Sequence, residues 1–365
     1  MEELYKQEER VILSLRKLYR SHGYSQFKMS KFEPYDLYAG NKDFLVSERV
    51  ITFNDSDGTL LALKPDVTLS IVKNYKHTPG CVHKVYYNEN VYRSGSGTQG
   101  YREIMQTGLE CMGEIDVIAL TEVLTLALQS LSAISDRYVL DLSHMGLVNE
   151  LLDCLPLSKS DCALLLQCLE QKNEDAAREL CQKLPPQQAK QVMTLLRVSG
   201  PLDSAITQLT PFEGSPALQE LQDIASILRS IGRIDRVNLD FSIISDRNYY
   251  NGTVFRGYVE GIPTGILSGG QYDLLMKKMD KQAGGVGFAV YLDQLEQLDK
   301  SGREYDVDTV LLYENCDPTA LLNAAEELRA TVPSLLVVSH MPANLRCRTT
   351  AIFRNGRIDT LENNG

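Results

Sequence analysis

Between Tyr101 and Met112 the chain places Arg102, Gln106 and Glu110 four residues apart. A β-strand turns alternate residues to one face, so a cation, an amide and a carboxylate would line one pocket. The same spacing fits a helix face. Gly108 between the polar positions, and the turn that precedes them, favour a strand. Met105, Leu109 and Cys111 then supply an apolar alternate face. Residues for metal chemistry are not spaced for it. His22, His77, His83, His144 and His340 form no H-x-x-x-H or H-E-x-x-H pattern, so no metal is expected. The eight cysteines include no C-x-x-C pair and mostly have apolar neighbours, as buried free thiols do. No Walker-type phosphate loop is present, and no cofactor is expected.

The elements that would position these residues read as follows. Leu4, Val11, Ile12, Leu15, Leu18 and Tyr19 recur at helical spacing and stop at His22-Gly23. Ile51 and Phe53 face Leu61 and Leu63 across an Asp-Gly turn, a hairpin pattern. Strands over Lys84 to Arg93 and Tyr101 to Met112 flank the loop Ser94 to Gly100. Val117 to Leu131 is apolar on several faces, as in a helix buried under a sheet. From about Leu147 to Ser230 the chain turns rich in Leu, Gln, Glu, Lys and Ala, with proline breaks, and reads as a helical insertion. Strands return over Val237 to Val259 and Thr264 to Leu267, after which Ser268-Gly269-Gly270 should turn into a short helix. Strands at Val307 to Leu312, Leu335 to Val338 and Thr350 to Phe353, around a helix at Pro318 to Ala330, form a small α/β appendage. The divisions expected are 1–146 and 231–300 for a split core, 147–230 for the insertion and 301–365 for the appendage.

A length of 365 residues exceeds one small core. The 37 basic and 48 acidic residues leave a formal charge of −11, which argues against a chain whose main role is gripping a phosphate backbone. No run of about 18 apolar residues occurs, and the polar start MEELYKQEER is unlike a signal peptide, so a cytoplasmic protein without a membrane partner is expected.

Five segments occur in the order of the histidyl-tRNA synthetase signatures: ITFNDSDGTLLALKPDVT, VYYNENVYRSGSGTQGYREIMQTGLECMG, NYYNGTVF, SGGQYD and GGVGFAVYLDQL. The resemblance covers most of residues 1 to 300 and implies an α+β fold, the antiparallel sheet flanked by helices of class II synthetases. It implies a homodimer too, although Ser30 replaces the proline of the family's first motif. In that family the acidic residue of R-P-E-G-T holds the substrate α-amino group, which points to Asp66; a carboxylate suits an ammonium ion. The matching glutamine and glutamate that contact histidine are Gln106 and Glu110. Tyr249 and Tyr250 match the paired tyrosines of the imidazole pocket, and Tyr272 matches a further pocket residue.

The departures concern ATP. Activation of an amino acid needs fixed cations around the reacting phosphate. Ser245 stands where the family has its catalytic arginine, with Arg247 two residues on. Gln294, Gly100 and Gln271 replace three further arginines, and Gly95 replaces an adenine-reading glutamate. Arg93 and Arg102 remain as a possible remnant of an anion or nucleotide site. This pattern resembles a branch of the family, the regulatory subunits of short-form ATP phosphoribosyltransferase. The resemblance implies a subunit without catalysis or tRNA that activates a short catalytic partner and mediates feedback by histidine. The alternatives are a working synthetase, or a stand-alone amino-acid sensor serving another partner.

Overall fold

A computed structural model describes residues 7–45, 50–94, 100–243, 249–297 and 305–363. The chain forms two compact units, Met1–Leu298 and Asp299–Gly365. The strands, in chain order, are β1 (Ser25–Gln26), β2 (Phe32–Pro34), β3 (Thr52–Asn54), β4 (Leu60–Leu63), β5 (His83–Ser94), β6 (Tyr101–Gly113), β7 (Tyr138–His144) and β8 (Ser199–Pro201). They continue with β9 (Val237–Asp240), β10 (Thr253–Val259), β11 (Leu267–Gln271), β12 (Gly284–Tyr291), β13 (Val307–Tyr313), β14 (Leu335–Val338), β15 (Cys347–Arg354) and β16 (Arg357–Asn363).

Nine strands build the main sheet in the order β1-β5-β6-β12-β11-β10-β7-β9-β8. Its centre is antiparallel as expected, but β1–β5 and β7–β9 pair in parallel, so the sheet is mixed. One face is covered by the helices Gln7–Ser21 and Val117–Ser132. The first buries Val11, Leu15 and Tyr19, a single stripe at intervals of four. The second is sunk between sheet and insertion and buries residues all round, including Leu120, Leu124, Leu128 and Leu131; Asp116 caps it by accepting from the Ala119 amide at 2.7 Å. Leu109, Cys111, Val286, Phe288 and Val290 fill the same core from the sheet side. Each fully buried leucine here contributes about 1.5–3 kcal/mol. The hairpin β3–β4 joins β2 in a separate three-stranded sheet.

One reading of the sequence is corrected at β11. Ser268-Gly269-Gly270 is strand, not turn, and the helix begins only at Asp273. Glycine there reflects crowding: a methyl on Gly269 would meet the Gly287 carbonyl, and one on Gly270 the Tyr250 ring. The stretch 147–230 is helical apart from short pieces such as β8, which pairs with β9 and extends the main sheet. Its helices (Met145–Cys154, Lys159–Gln171, Glu174–Cys181, Pro186–Arg197, Leu202–Ala205 and Pro216–Ser230) share one continuous core with the sheet. Serine, asparagine and proline set their starts: Ser158, Asn173 and Ser215 each accept an amide proton three residues on, and Pro186 and Pro216 occupy first-turn positions.

The second unit is a four-stranded sheet, β14-β13-β15-β16, packed on the helix Pro318–Arg329 through Leu311, Leu321, Ala325, Ala351 and Phe353. Its last strand was not foreseen, although Asn355 and Gly356, both at positive φ, mark the hairpin turn. All eight cysteines are free, but only Cys111, Cys168 and Cys347 are buried, fewer than their apolar neighbours suggest.

His144 ties the insertion to the sheet. Its Nδ1 accepts from the Gly146 amide at 3.1 Å, capping the helix Met145–Cys154, which leaves Nε2 to donate to Glu220 at 3.0 Å on the helix Pro216–Ser230. His144→Ala removes both bonds and should lower stability by about 1–2 kcal/mol, read as a shift in the urea midpoint. An unchanged midpoint would show that neither bond holds the two helices.

Candidate functional site

The face of the main sheet opposite those two helices carries a cavity of about 350 Å³, at the small end of the range for ligand pockets. Strand parity builds it. Gln106 and Glu110 of β6, Gly287, Ala289 and Tyr291 of β12, Ser268 of β11 and Arg256 of β10 all point into it, with Tyr87 and Arg93 from β5. The segment after β4 brings Asp66 and Thr68 over one side, and Tyr249, Tyr250 and Tyr272 close another.

Glu110 is the centre of the arrangement. Its Oε1 accepts from the Thr68 hydroxyl at 2.8 Å and its Oε2 from the Tyr272 hydroxyl at 2.7 Å. The carboxylate lies over Gly287, where even a methyl group would collide with Oε2. Burial pushes its pKa up to about 8; the two hydroxyl donors oppose that shift and the Asp66 carboxylate adds to it. Asp66 is buried, not a solvated turn residue. Its Oδ1 accepts from the Leu69 amide at 2.9 Å at the start of the helix Thr68–Asn74. Burial raises its pKa as well, while the Leu69 amide and the Arg93 charge work against the rise. Arg93 also fixes the backbone, because its Nε donates to the Pro65 carbonyl at 2.9 Å. Beneath this, Lys64 is fully buried and pairs with Glu89 at 2.5 Å.

The tyrosines pack as an aromatic wall: Tyr249 meets Tyr250 edge-on at 4.4 Å, Tyr272 at 6.4 Å and Phe44 at 5.7 Å between centroids. Gln106 is 2% exposed, and its Nε2 has no hydrogen-bond partner among the described residues. A buried amide donor without a partner is costly, and in a cavity wall it is a donor available to a ligand.

The structure therefore brings Asp66, Gln106, Glu110, Tyr249, Tyr250, Tyr272 and Arg93 to one cavity. Arg102 is not among them: it is exposed near the start of β6, and its nearest carboxylate is Asp293 at 3.9 Å. Instead the second cation of the cavity is Arg256, which the sequence reading missed. Its signal was present, a lone charge in the run Thr253-Val254-Phe255-Arg256-Gly257-Tyr258-Val259. Thr68 was likewise missed as a ligand to Glu110. Of the positions where family arginines were expected, Gln271 is buried and turned to the backbone, its Oε1 accepting from the Thr253 amide at 2.7 Å. Gln294 accepts from the Thr264 hydroxyl at 2.8 Å, and Gly100 is exposed. Ser245, Arg247 and Gly95 lie outside the described residues. Among the described residues no three His, Cys, Asp or Glu side chains form a metal-binding group, and no helix is long and apolar enough to cross a membrane.

A sequence model described as histidyl-tRNA synthetase matches residues 1–295. The chain belongs to the histidyl-tRNA synthetase family. Within it, the relatives found include an ATP phosphoribosyltransferase regulatory subunit of Oceanobacillus iheyensis, 28% identical over 86% of this chain and 80% of the relative. A second, from Clostridium novyi, is 28% identical over 77% of this chain and 70% of that protein. Among solved structures, an ATP phosphoribosyltransferase regulatory subunit/histidyl-tRNA synthetase from Bacillus halodurans C superposes with a TM-score of 0.73, at 24% identity over 92% of this chain and 89% of that one. A chain of the ATP phosphoribosyl transferase HisG:HisZ complex of Thermotoga maritima gives a TM-score of 0.61 at 21% identity, covering 77% and 96%. The family fold is thus common to both.

Glu110 gives the site a pH signature. With a folded-state pKa near 8 against an ordinary 4.5, the folded chain holds a proton that the unfolded chain releases. Stability from this group is full below the ordinary value and is lost as pH rises through 8. Wild type should lose stability relative to Glu110→Gln between about pH 5 and 8, measured by urea unfolding at each pH. Parallel curves for the two proteins would mean that Glu110 is already ionised in the empty cavity.

Proposed function

We propose that this chain is a non-catalytic regulatory subunit of ATP phosphoribosyltransferase, binding a short catalytic partner and sensing histidine in the cavity around Glu110. The observation that carries the histidine reading is the pair of buried carboxylates, Asp66 and Glu110, facing one small aromatic-walled space. Two buried acids in one cavity favour a ligand with two basic groups, because each regains ionisation most readily beside a cation or a hydrogen-bond donor. Histidine has an ammonium for Asp66 and an imidazole N–H for Glu110, with Gln106 as a further polar contact and the tyrosines against the ring. The family resemblance likewise points Asp66 to the α-amino group and Gln106 and Glu110 to contacts with the bound histidine.

The non-catalytic reading rests on the positions where the family resemblance expects arginines. Adenylation needs cations fixed at the α-phosphate. Gln271 is committed to the backbone of Thr253 and Gln294 to Thr264, and neither offers a charge. The partner reading draws on the relatives named as regulatory subunits and on the HisG:HisZ complex among the fold neighbours. A family dimer, with no tRNA and no cofactor, completes the proposal.

Histidine-dependent pyrophosphate exchange should be absent from the purified chain; a rate clearly above a no-protein control would restore the synthetase reading. Calorimetry should detect histidine binding to the chain, alone or with its partner, and Glu110→Ala or Tyr250→Ala should weaken it by about 1–3 kcal/mol. Absence of binding in both settings would make the cavity vestigial.

The deciding experiment co-purifies the chain with a short ATP phosphoribosyltransferase and follows phosphoribosyl-ATP formation against histidine. The subunit should raise the rate and confer inhibition. A cavity variant should keep the activation and lose the inhibition, since coupling between site and partner is one reciprocal free energy. No association at micromolar concentration would shift the reading to a free-standing sensor.

A further inference from the structure

Histidine also carries a carboxylate, and Asp66 and Glu110 would repel it. The floor of the cavity shows where it can go. In register across the sheet, Gly108 of β6 is followed by Ala289 of β12, Ser268 of β11 and then Arg256 of β10. Tyr87 of β5 lies over Gly108, but Ala289 and Ser268 are small and line the cavity, so they leave a shallow trough across β12 and β11 that ends at one guanidinium. That guanidinium is poorly used by the protein. Its cross-strand neighbour on β7 is Asp141, whose carboxylate takes the Asn238 amide at 3.0 Å. Asp141 feels the charge of Arg256 at a distance, but among the described residues no ion pair or hydrogen bond reaches the Arg256 head group. Its stem instead packs over Gly265, where a methyl group would strike Cγ and Cδ, and this fixes the direction of the side chain. The other cation of the cavity, Arg93, is engaged by the Pro65 carbonyl and by the neighbouring Asp66 charge.

We propose that Arg256 is a specificity residue that holds the carboxylate of the bound amino acid, at the far end of the trough from Glu110. The assignment rests on the reading of the cavity as a histidine site and gives that site its third polar anchor. A half-buried guanidinium suits this role, because it is always charged and meets a carboxylate with paired, charge-assisted hydrogen bonds. It also explains why a residue that stands alone as a charge in an apolar strand is tolerated there. Ligands with the same ring and amine but no carboxylate, such as histidinol, histidinamide or histamine, are then rejected by the subunit.

The test titrates the full-length chain with histidine and with histidinamide by calorimetry, in wild type, Arg256→Met, Arg256→Gln and Arg256→Lys. Wild type should prefer histidine by roughly tenfold or more, the usual worth of a hydrogen bond to a charged group. In the Met and Gln variants the preference should collapse to within about threefold, through weaker histidine binding with histidinamide affinity little changed. The Lys variant should recover part of it. Two neutral variants are used because either could fold poorly, and thermal melts select those that keep the wild-type transition. A preference that survives in a folded neutral variant overturns the role of Arg256 while leaving the histidine site intact. Wild type that binds neither compound, alone or together with its short catalytic partner, overturns both.

Discussion

The Glu110 carboxylate, fully buried and held by two hydroxyls from distant segments, is the contact on which the site depends. Thr68 comes from the connection after β4, Glu110 from β6 and Tyr272 from the connection after β11, so one side chain fixes three parts of the chain against each other. A buried charge is tolerated only with such partners, or by staying protonated, and this carboxyl does some of each. The arrangement requires a bare backbone opposite it, which Gly287 supplies, and Gly285 does the same for the Tyr272 ring. The glycines of β11 and β12 are therefore the mould for the polar groups, and their cost in strand propensity is offset by the space they leave.

The rest of the first unit holds this contact still. The two faces of the central strands divide the work residue by residue. Leu109 and Cys111 go into the core under the helices while Gln106 and Glu110 go into the cavity. A shift of one residue in the register of β6 would bury the wrong set and bring leucine into the cavity, which is why the apolar face specifies the polar one. The insertion adds to the same core, so its helices support the sheet from the face opposite the cavity.

Much of this was legible beforehand because its signals are periodic or chemical. The alternation in Arg102 to Cys111 set the faces of β6, and the order of five motifs set the fold. What escaped detection depended on distance in the folded chain. Thr68 matters through Glu110, 42 positions away, and Arg256 through a cavity it shares with Asp66 and Glu110, and nothing local to either says so. Arg102 failed for the opposite reason: its parity is right, but parity does not say how far along a strand the cavity extends. Glycine misled at Ser268-Gly269-Gly270, where it answers a crowded strand instead of making a turn. At Asn355-Gly356 the turn chemistry was plain, and β16 could have been read from it.

The ends of the main sheet carry a consequence of their own. One margin is β1, two residues long, and the other is β8, three residues that include Gly200 and Pro201. An edge so short presents almost no free ladder, and proline removes one of its donors. These two short strands themselves offer little backbone ladder to an extended strand from another polypeptide, although β1 pairs only with Val85 and Tyr86 of the twelve-residue β5. An assembly made at β1 or β8 would therefore be written mainly in side chains, which are open to tuning by sequence in a way that a backbone template is not.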